Sequence, residues 1–249
     1  MHRYFIFFKF KGTDFHGWQI QPNAKTVQEE LQNAMSLLLQ KEIELVGAGR
    51  TDTGVHAKEM VAHFSLDDKI VIEDFKFRLN NVLSNSISIN NLIVVSPEAH
   101  ARFDAISRTY HYYIHHKKDA FLHETSYRFS QKLDIESMNQ AAEKLIGKAD
   151  FSCFSKSNTQ TFTNDCEITK AKWTKKGNQL IFEITANRFL RNMVRAIVGT
   201  LLEVGEGKRS PESIPNLIKS KDRSKAGSSV PACGLFLSHI KYPEELFNF

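Results

Sequence analysis

Asp52 lies in the stretch Gly47-Ala-Gly-Arg-Thr-Asp-Thr-Gly-Val-His-Ala57, a glycine-rich loop between two strand-like segments. A carboxylate presented in this way can act as nucleophile or base. Glycines at 47, 49 and 54 permit positive φ and close approach of backbone to a ligand, and Arg50, two residues before the acid, can hold it ionised at neutral pH. Two other loop chemistries fail on residue type. A dinucleotide fingerprint requires glycine where Asp52 stands, and a phosphate loop requires Lys and then Ser or Thr after Gly54, where the chain has Val55 and His56. An Asx-turn with Arg50 as a surface charge would account for the loop taken alone.

Two further segments carry side chains of interest. In Ala101-Arg-Phe-Asp-Ala-Ile-Ser-Arg-Thr-Tyr-His-Tyr-Tyr113 a strand at 108–115 puts Tyr110 and Tyr112 on one face and His111 and Tyr113 on the other. An inward Tyr can stack on a nucleobase or carry a proton, or it can be a core aromatic with its hydroxyl satisfied. The periodicity of 189–204 predicts a helix on which Arg188, Arg191 and Arg195 form one stripe, roughly opposite Phe189, Met193, Ile197, Leu201 and Val204. Such a stripe is either a solvated basic face or a binder of phosphate or carboxylate, both of which Arg recognises in bidentate fashion. His111, His115, His116 and His123 show no metal-ligand spacing, and no metal site is expected.

These residues need a scaffold, and hydrophobic patterning supplies one. A first strand runs over 3–10, and Thr26-Val-Gln-Glu29 matches a capping box opening a helix at 26–40 with Val27, Leu31, Ala34, Met35 and Leu38 on its apolar face. Strands at 43–46 and 60–64 flank the Asp52 loop, followed by a helix at 74–84 and a strand at 87–95. The second half repeats the order with longer insertions: strand 108–115, helix 134–147, strands near 166–174 and 179–186, helix 189–204 and a last strand at 234–240. This predicts an α+β protein of two pseudo-duplicated ferredoxin-like, RRM-like units, with antiparallel or mixed sheets and helices on one face. The expected domains are 1–103, carrying the Asp loop, and 104–249, carrying the Tyr strand and the Arg helix. Stretches 117–129, 152–165 and 220–229 read as loops.

The chain has 249 residues, 41% hydrophobic and 24% charged, the composition of an ordinary globular protein. Its 33 Lys and Arg against 28 Asp and Glu give a formal +5, which favours an acidic partner such as nucleic acid. Cys153, Cys166 and Cys233 are odd in number and widely separated, so neither a disulfide framework nor a zinc site is indicated, and the chain reads as cytoplasmic. The N-terminal apolar run is too short for a signal sequence, and no segment approaches the length of a membrane span.

Four motifs, Gly49-Arg-Thr-Asp-Thr-Gly-Val-His-Ala57, Ala101-Arg-Phe through Arg108-Thr-Tyr-His-Tyr112, Phe189-Leu-Arg-Asn-Met-Val-Arg-Ala-Ile-Val-Gly199 and Gly234-Leu-Phe-Leu237, together resemble the bacterial tRNA pseudouridine synthase A family over nearly the full length. One departure is Thr53, where Ala is usual. The resemblance implies isomerisation of uridine to pseudouridine at positions 38, 39 and 40 of the tRNA anticodon arm by a homodimer, with no metal, no cofactor and no membrane partner. By motif matching it makes Asp52 the catalytic aspartate, Tyr110 the active-site tyrosine, Arg195 the arginine that pairs with the aspartate, Arg50 the loop arginine and Leu235 an apolar wall near the target base. Arg188, Arg191, Lys156, Lys221 and Lys225 are candidates for phosphate contact. A non-catalytic RNA-binding protein with RRM-like sheets is the competing reading, and it leaves the Asp52 loop without a task. A glycosidase would want a second carboxylate as general acid, and no obvious one appears.

Overall fold

The computed structural model describes residues 1–156 and 163–247. The chain runs β1 (His2–Phe10), α1 (Val27–Leu39), β2 (Val46–Gly47), β3 (His56–Leu66), α2 (Ile72–Val82) and β4 (Ile87–Val95), then β5 (Ser107–His115), β6 (Tyr127–Arg128), α3 (Ile135–Glu143), β7 (Gly147–Asp150), β8 (Asp165–Lys176), β9 (Gln179–Ala186), α4 (Met193–Gly205), α5 (Ile214–Ser220) and β10 (Leu235–Lys241). It is a mixed α+β fold that divides into two compact units, one of Met1–Ile106 with Phe236–Phe249 and one of Ser107–Leu235.

The first unit is built on β1, which pairs antiparallel with β3 on one side and β4 on the other. Tyr4 stacks on Phe64 and Phe8 tilts against Trp18, while Phe5 meets Tyr242 edge-on. Tyr4, Phe5, Ile6 and Phe8 are all buried, so β1 is covered on both faces, and Tyr4 to Phe8 reads as a continuous apolar run rather than an alternation. The N-cap bond of the expected capping box forms, Thr26 Oγ1 accepting from Glu29 N at 3.3 Å, and α1 buries Val27, Leu31, Ala34 and Met35. Two short strands share one edge of β3: β2 antiparallel at its far end and β10 parallel at its start, where Phe236 opposes His56.

The expected strand at 43–46 forms only at Val46–Gly47. Its earlier backbone donors are taken by side chains of α1 instead, Ile43 N by Ser36 Oγ and Leu45 N by Gln32 Oε1, both at 3.1 Å. The sequence pattern also carries the second domain to residue 249. The last strand belongs with the first unit from Phe236 onward because it pairs with β3 and because Ile106 N donates to Lys241 O at 2.8 Å.

In the second unit β5, β9, β8 and β7 follow one another as antiparallel neighbours, and β6 adds a short parallel pairing to β5. The helix expected to reach 147 stops at Glu143, because Gly147 adopts φ +118 and starts a strand against β8. Asp134 caps that helix by accepting from Glu136 N and Ser137 N. Asn139 ties it to β8, its amide accepting from Trp173 N at 2.8 Å and donating to Trp173 O. The polar stretch read as a loop at 152–165 lies in part outside the described residues. Burial pushes the Cys153 thiol up to about 12 and that of Cys166 to about 11, so both behave as packing groups.

Candidate active site

Asp52 is half-buried, and the loop that carries it is held from behind by the turn that follows β1. Gly54 N donates to Phe15 O, Trp18 N to Thr51 O, and Gly12 N to Nδ1 of the buried His56 at 2.9 Å. That last bond makes Nδ1 the acceptor and places the ring proton on Nε2. The turn is itself fastened to the start of α1, where Val27 N and Gln28 N donate to Gly17 O and Trp18 O. Contact is close enough to exclude side chains: a Cβ on Gly12 would lie 2.0 Å from Val55 O, one on Gly17 2.3 Å from Thr51 O, and one on Gly47 2.6 Å from the Trp18 indole. Gly17 and Gly54 have φ of +89 and +77, so each also needs glycine for its backbone. Gly49 needs neither: a Cβ there would meet nothing within 4 Å and its φ is not left-handed, contrary to expectation. The Thr51 hydroxyl beside the acid is shut off from solvent without a hydrogen-bond partner among the described residues.

In the second unit α4 is buried along nearly its whole length, with Arg195 and Glu203 the two residues on it that are not. It starts at Met193, after Asn192 in the left-handed region at φ 67, so Arg188 and Arg191 precede the helix and the expected stripe of three arginines does not exist. Only Arg195 lies on the helix. Its Nε donates to Val230 O at 2.7 Å, and Val230 N returns a bond to Arg195 O. Residues 227–230 are pressed onto α4 by small residues: Thr200 Oγ1 accepts from Gly227 N, and a Cβ on Gly199 would lie 1.8 Å from Ser228 O. Arg223 holds the same segment, donating to Ala226 O, Gly227 O and Ser229 Oγ. The stretch 220–229, whose polarity suggests a loop, is therefore a hydrogen-bonded brace for Arg195.

The brace continues to the Tyr strand. Tyr112 is buried and donates from Oη to Pro231 O at 2.8 Å, and its ring abuts Gly234, the residue before Leu235. Burial, helped by Cys233 and Tyr127 and opposed by Arg195, pushes the Tyr112 phenol far above its ordinary range, so it remains a donor. Tyr112 is thus structural. Tyr110, on the same strand face, is half-buried and meets Phe189 edge-on at 5.1 Å, so the Arg188–Arg191 turn packs beside it. Leu235 is buried at the start of β10.

The structure therefore brings Arg195, Tyr112 and the 230–235 segment together in the second unit, and fixes Asp52 between Arg50 and Gly54 in the first. Arg50 and Arg191 are exposed and Arg188 is half-buried. Lys221 is engaged with Asp150 at 2.8 Å. Sequence reasoning does not single out Gly12, Gly17, Trp18 and His56, the groups that position the Asp52 loop. Their signal lies in the two glycines between β1 and α1, although the sequence alone does not say what those glycines face.

A family model described as tRNA pseudouridine synthase matches residues 141–243. A protein of Parabacteroides distasonis is 51% identical over 250 residues, covering 99% of this chain and 98% of its own. Relatives from Bacteroides thetaiotaomicron and Porphyromonas gingivalis are each 49% identical over 251 residues, covering 100% and 99% of this chain and 93% and 100% of their own. All three are named tRNA pseudouridine synthase A. Identity of about one half over essentially full lengths leaves one conclusion: the chain belongs to the tRNA pseudouridine synthase A family.

Proposed function

We propose that the protein converts uridine to pseudouridine at positions 38, 39 and 40 of the tRNA anticodon arm, with Asp52 as the reacting carboxylate. The observation that carries this reading is the Asp52 loop, wedged against Gly12 and Gly17 in a chain of this family. The isomerisation breaks the bond from N1 to C1′, turns the uracil, forms the bond from C5 to C1′, and transfers the C5 proton away while N1 gains one. Nothing is oxidised or reduced, so one ionised carboxylate suffices, either adding at C1′ or abstracting the 2′ proton to give a glycal.

In this reading Tyr110 stacks on the uracil and assists loss of the C5 proton, Leu235 walls the base, and Arg195 is the cation that keeps Asp52 ionised. Arg50, Arg188 and Arg191 contact phosphates of the extruded strand, offsetting the few kcal/mol that unstacking costs. The protein acts as a cytoplasmic homodimer without cofactor. The strand order β4, β1, β3 with helices α1 and α2 in the first unit, and the succession β5, α3, β8, β9, α4 of the second once the short β6 and β7 are set aside, support two duplicated ferredoxin-like halves. The test is nucleoside chromatography of unmodified tRNA after incubation with the protein. Pseudouridine should appear at 38, 39 and 40 at the expense of uridine, and its absence from all three would refute the proposal.

A further inference from the structure

Phe103 is 73% exposed, yet the turn that carries it is held as firmly as a core element. His100 N donates to Asp104 Oδ2 at 2.7 Å and Asp104 N to His100 O, while Arg102 N and Phe103 N both donate to His100 Nδ1, at 3.1 and 3.3 Å. Ala101 N donates to Nδ1 of the buried His63 at 3.1 Å, Tyr242 Oη to Ala101 O, and Arg3 Nη1 to Ala99 O. His63 and His100 meet edge-on at 4.5 Å, and the Phe103 ring lies 4.2 Å from that of His100 at 34°. The Arg102 guanidinium stands 5.6 Å from the ring centroid. Both imidazoles serve as neutral acceptors, and burial lowers the affinity of each for a proton.

A Phe left in water gains nothing from burial, and a flexible loop would carry one as well as this turn does. A rigid aromatic face backed by an imidazole and edged by a guanidinium suits a flat, anionic-backboned partner: a base can stack on the ring while its phosphate meets the cation. We propose that Phe103, with Arg102, is a stacking platform for an unpaired nucleobase of the RNA substrate, an inference that rests on the function proposed above. The turn hangs from His63, seven residues into β3, whose start adjoins the Asp52 loop. At about 3.3 Å per residue His63 lies about 23 Å along β3 from His56, where the Asp52 loop ends, so the platform holds a nucleotide other than the one being isomerised.

The test compares the wild type with Phe103→Ala and Phe103→Trp for the dissociation constant of unmodified tRNA, for KM and kcat of pseudouridine formation, and for mass by light scattering. Phe103→Ala is expected to raise the dissociation constant and KM about tenfold with kcat retained at saturation, and Phe103→Trp to restore both. Unchanged binding in Phe103→Ala would overturn the inference. So would an altered oligomeric state with unchanged affinity, which would make this face a contact between copies of the chain. A wild type that binds tRNA without forming pseudouridine would refute the functional reading, leaving the platform to be judged on the dissociation constants alone; one that binds no tRNA would overturn both.

Discussion

Substituting Gly17 by Ala puts a methyl 2.3 Å from the carbonyl oxygen of Thr51, the residue before Asp52. Real Cβ atoms essentially never come closer than 3.0 Å to a heavy atom, so one of the two backbones must retreat by at least about 0.7 Å. Gly17 cannot easily yield, because its carbonyl is fixed to Val27 N and its φ of +89 is already unfavourable to Ala. The displacement therefore falls on the Asp52 loop. Left-handed backbone costs about 1–2 kcal/mol and the clash about 1–3 kcal/mol, so stability should fall by about 2–5 kcal/mol. A shift approaching 1 Å in a reacting group can cost about 100-fold in rate. The comparison is Gly207→Ala, which has φ +74 but nothing within 4 Å, and should lose about 1–2 kcal/mol with no change in rate. The assay is single-turnover pseudouridine formation, with urea denaturation for stability. If folded Gly17→Ala reacted within twofold of the wild type, the turn after β1 would not be what positions Asp52.

Other consequences follow from single groups. Thr51→Val removes a hydroxyl without a partner among the described residues, and should leave the urea midpoint unchanged or raised; a loss above about 1 kcal/mol would show that the hydroxyl is satisfied. Tyr112→Phe deletes the bond to Pro231 O and should cost about 1 kcal/mol, lowering kcat by loosening the segment that Arg195 grips, whereas an unchanged denaturation curve would contradict that brace. His63 takes up a proton only near pH 4 in the folded protein, against an ordinary 6.5, chiefly through burial and then through Arg3 and His100. The unfolded chain therefore binds the extra proton first as pH falls: stability is complete above about 6.5 and declines toward 4, by about 3 kcal/mol in all. His63→Asn, which can accept from Ala101 N without titrating, should flatten that decline, and denaturation curves at pH 7 and 4.5 that shift equally in both proteins would rule it out.

Much of this architecture is legible because burial writes a periodicity into the chain. The capping residues Thr26 to Glu29, the 87–95 strand and the Tyr110/Tyr112 face can all be read from pattern alone. What cannot be read depends on contacts far apart in sequence. Arg188 and Arg191 have helical spacing with Arg195, but Asn192 breaks the helix in a left-handed turn that periodicity does not register. The stretch 220–229 is a loop with exposed Lys221, Ser224, Lys225 and Ser228, but Arg223 and Gly227 also bond within it and to Thr200, and polarity alone does not reveal those bonds. Glycine can be recognised as punctuation at 12, 17 and 49, but only the folded contacts distinguish the two that abut the Asp52 loop from the one that faces open space. The last strand leaves its expected domain because parallel pairing to β3 has no local signature.

Whether the Asp52 carboxylate performs the isomerisation is decided by tritium release from unmodified tRNA carrying 5-tritiated uridine, measured with the wild type and with Asp52→Asn. The two side chains have nearly the same shape, so binding and fold should persist while the nucleophile or base is lost. Release by the wild type alone, with tRNA affinity equal in both proteins, is the predicted result. Release by Asp52→Asn at a rate near that of the wild type would show that Asp52 is not the reacting group.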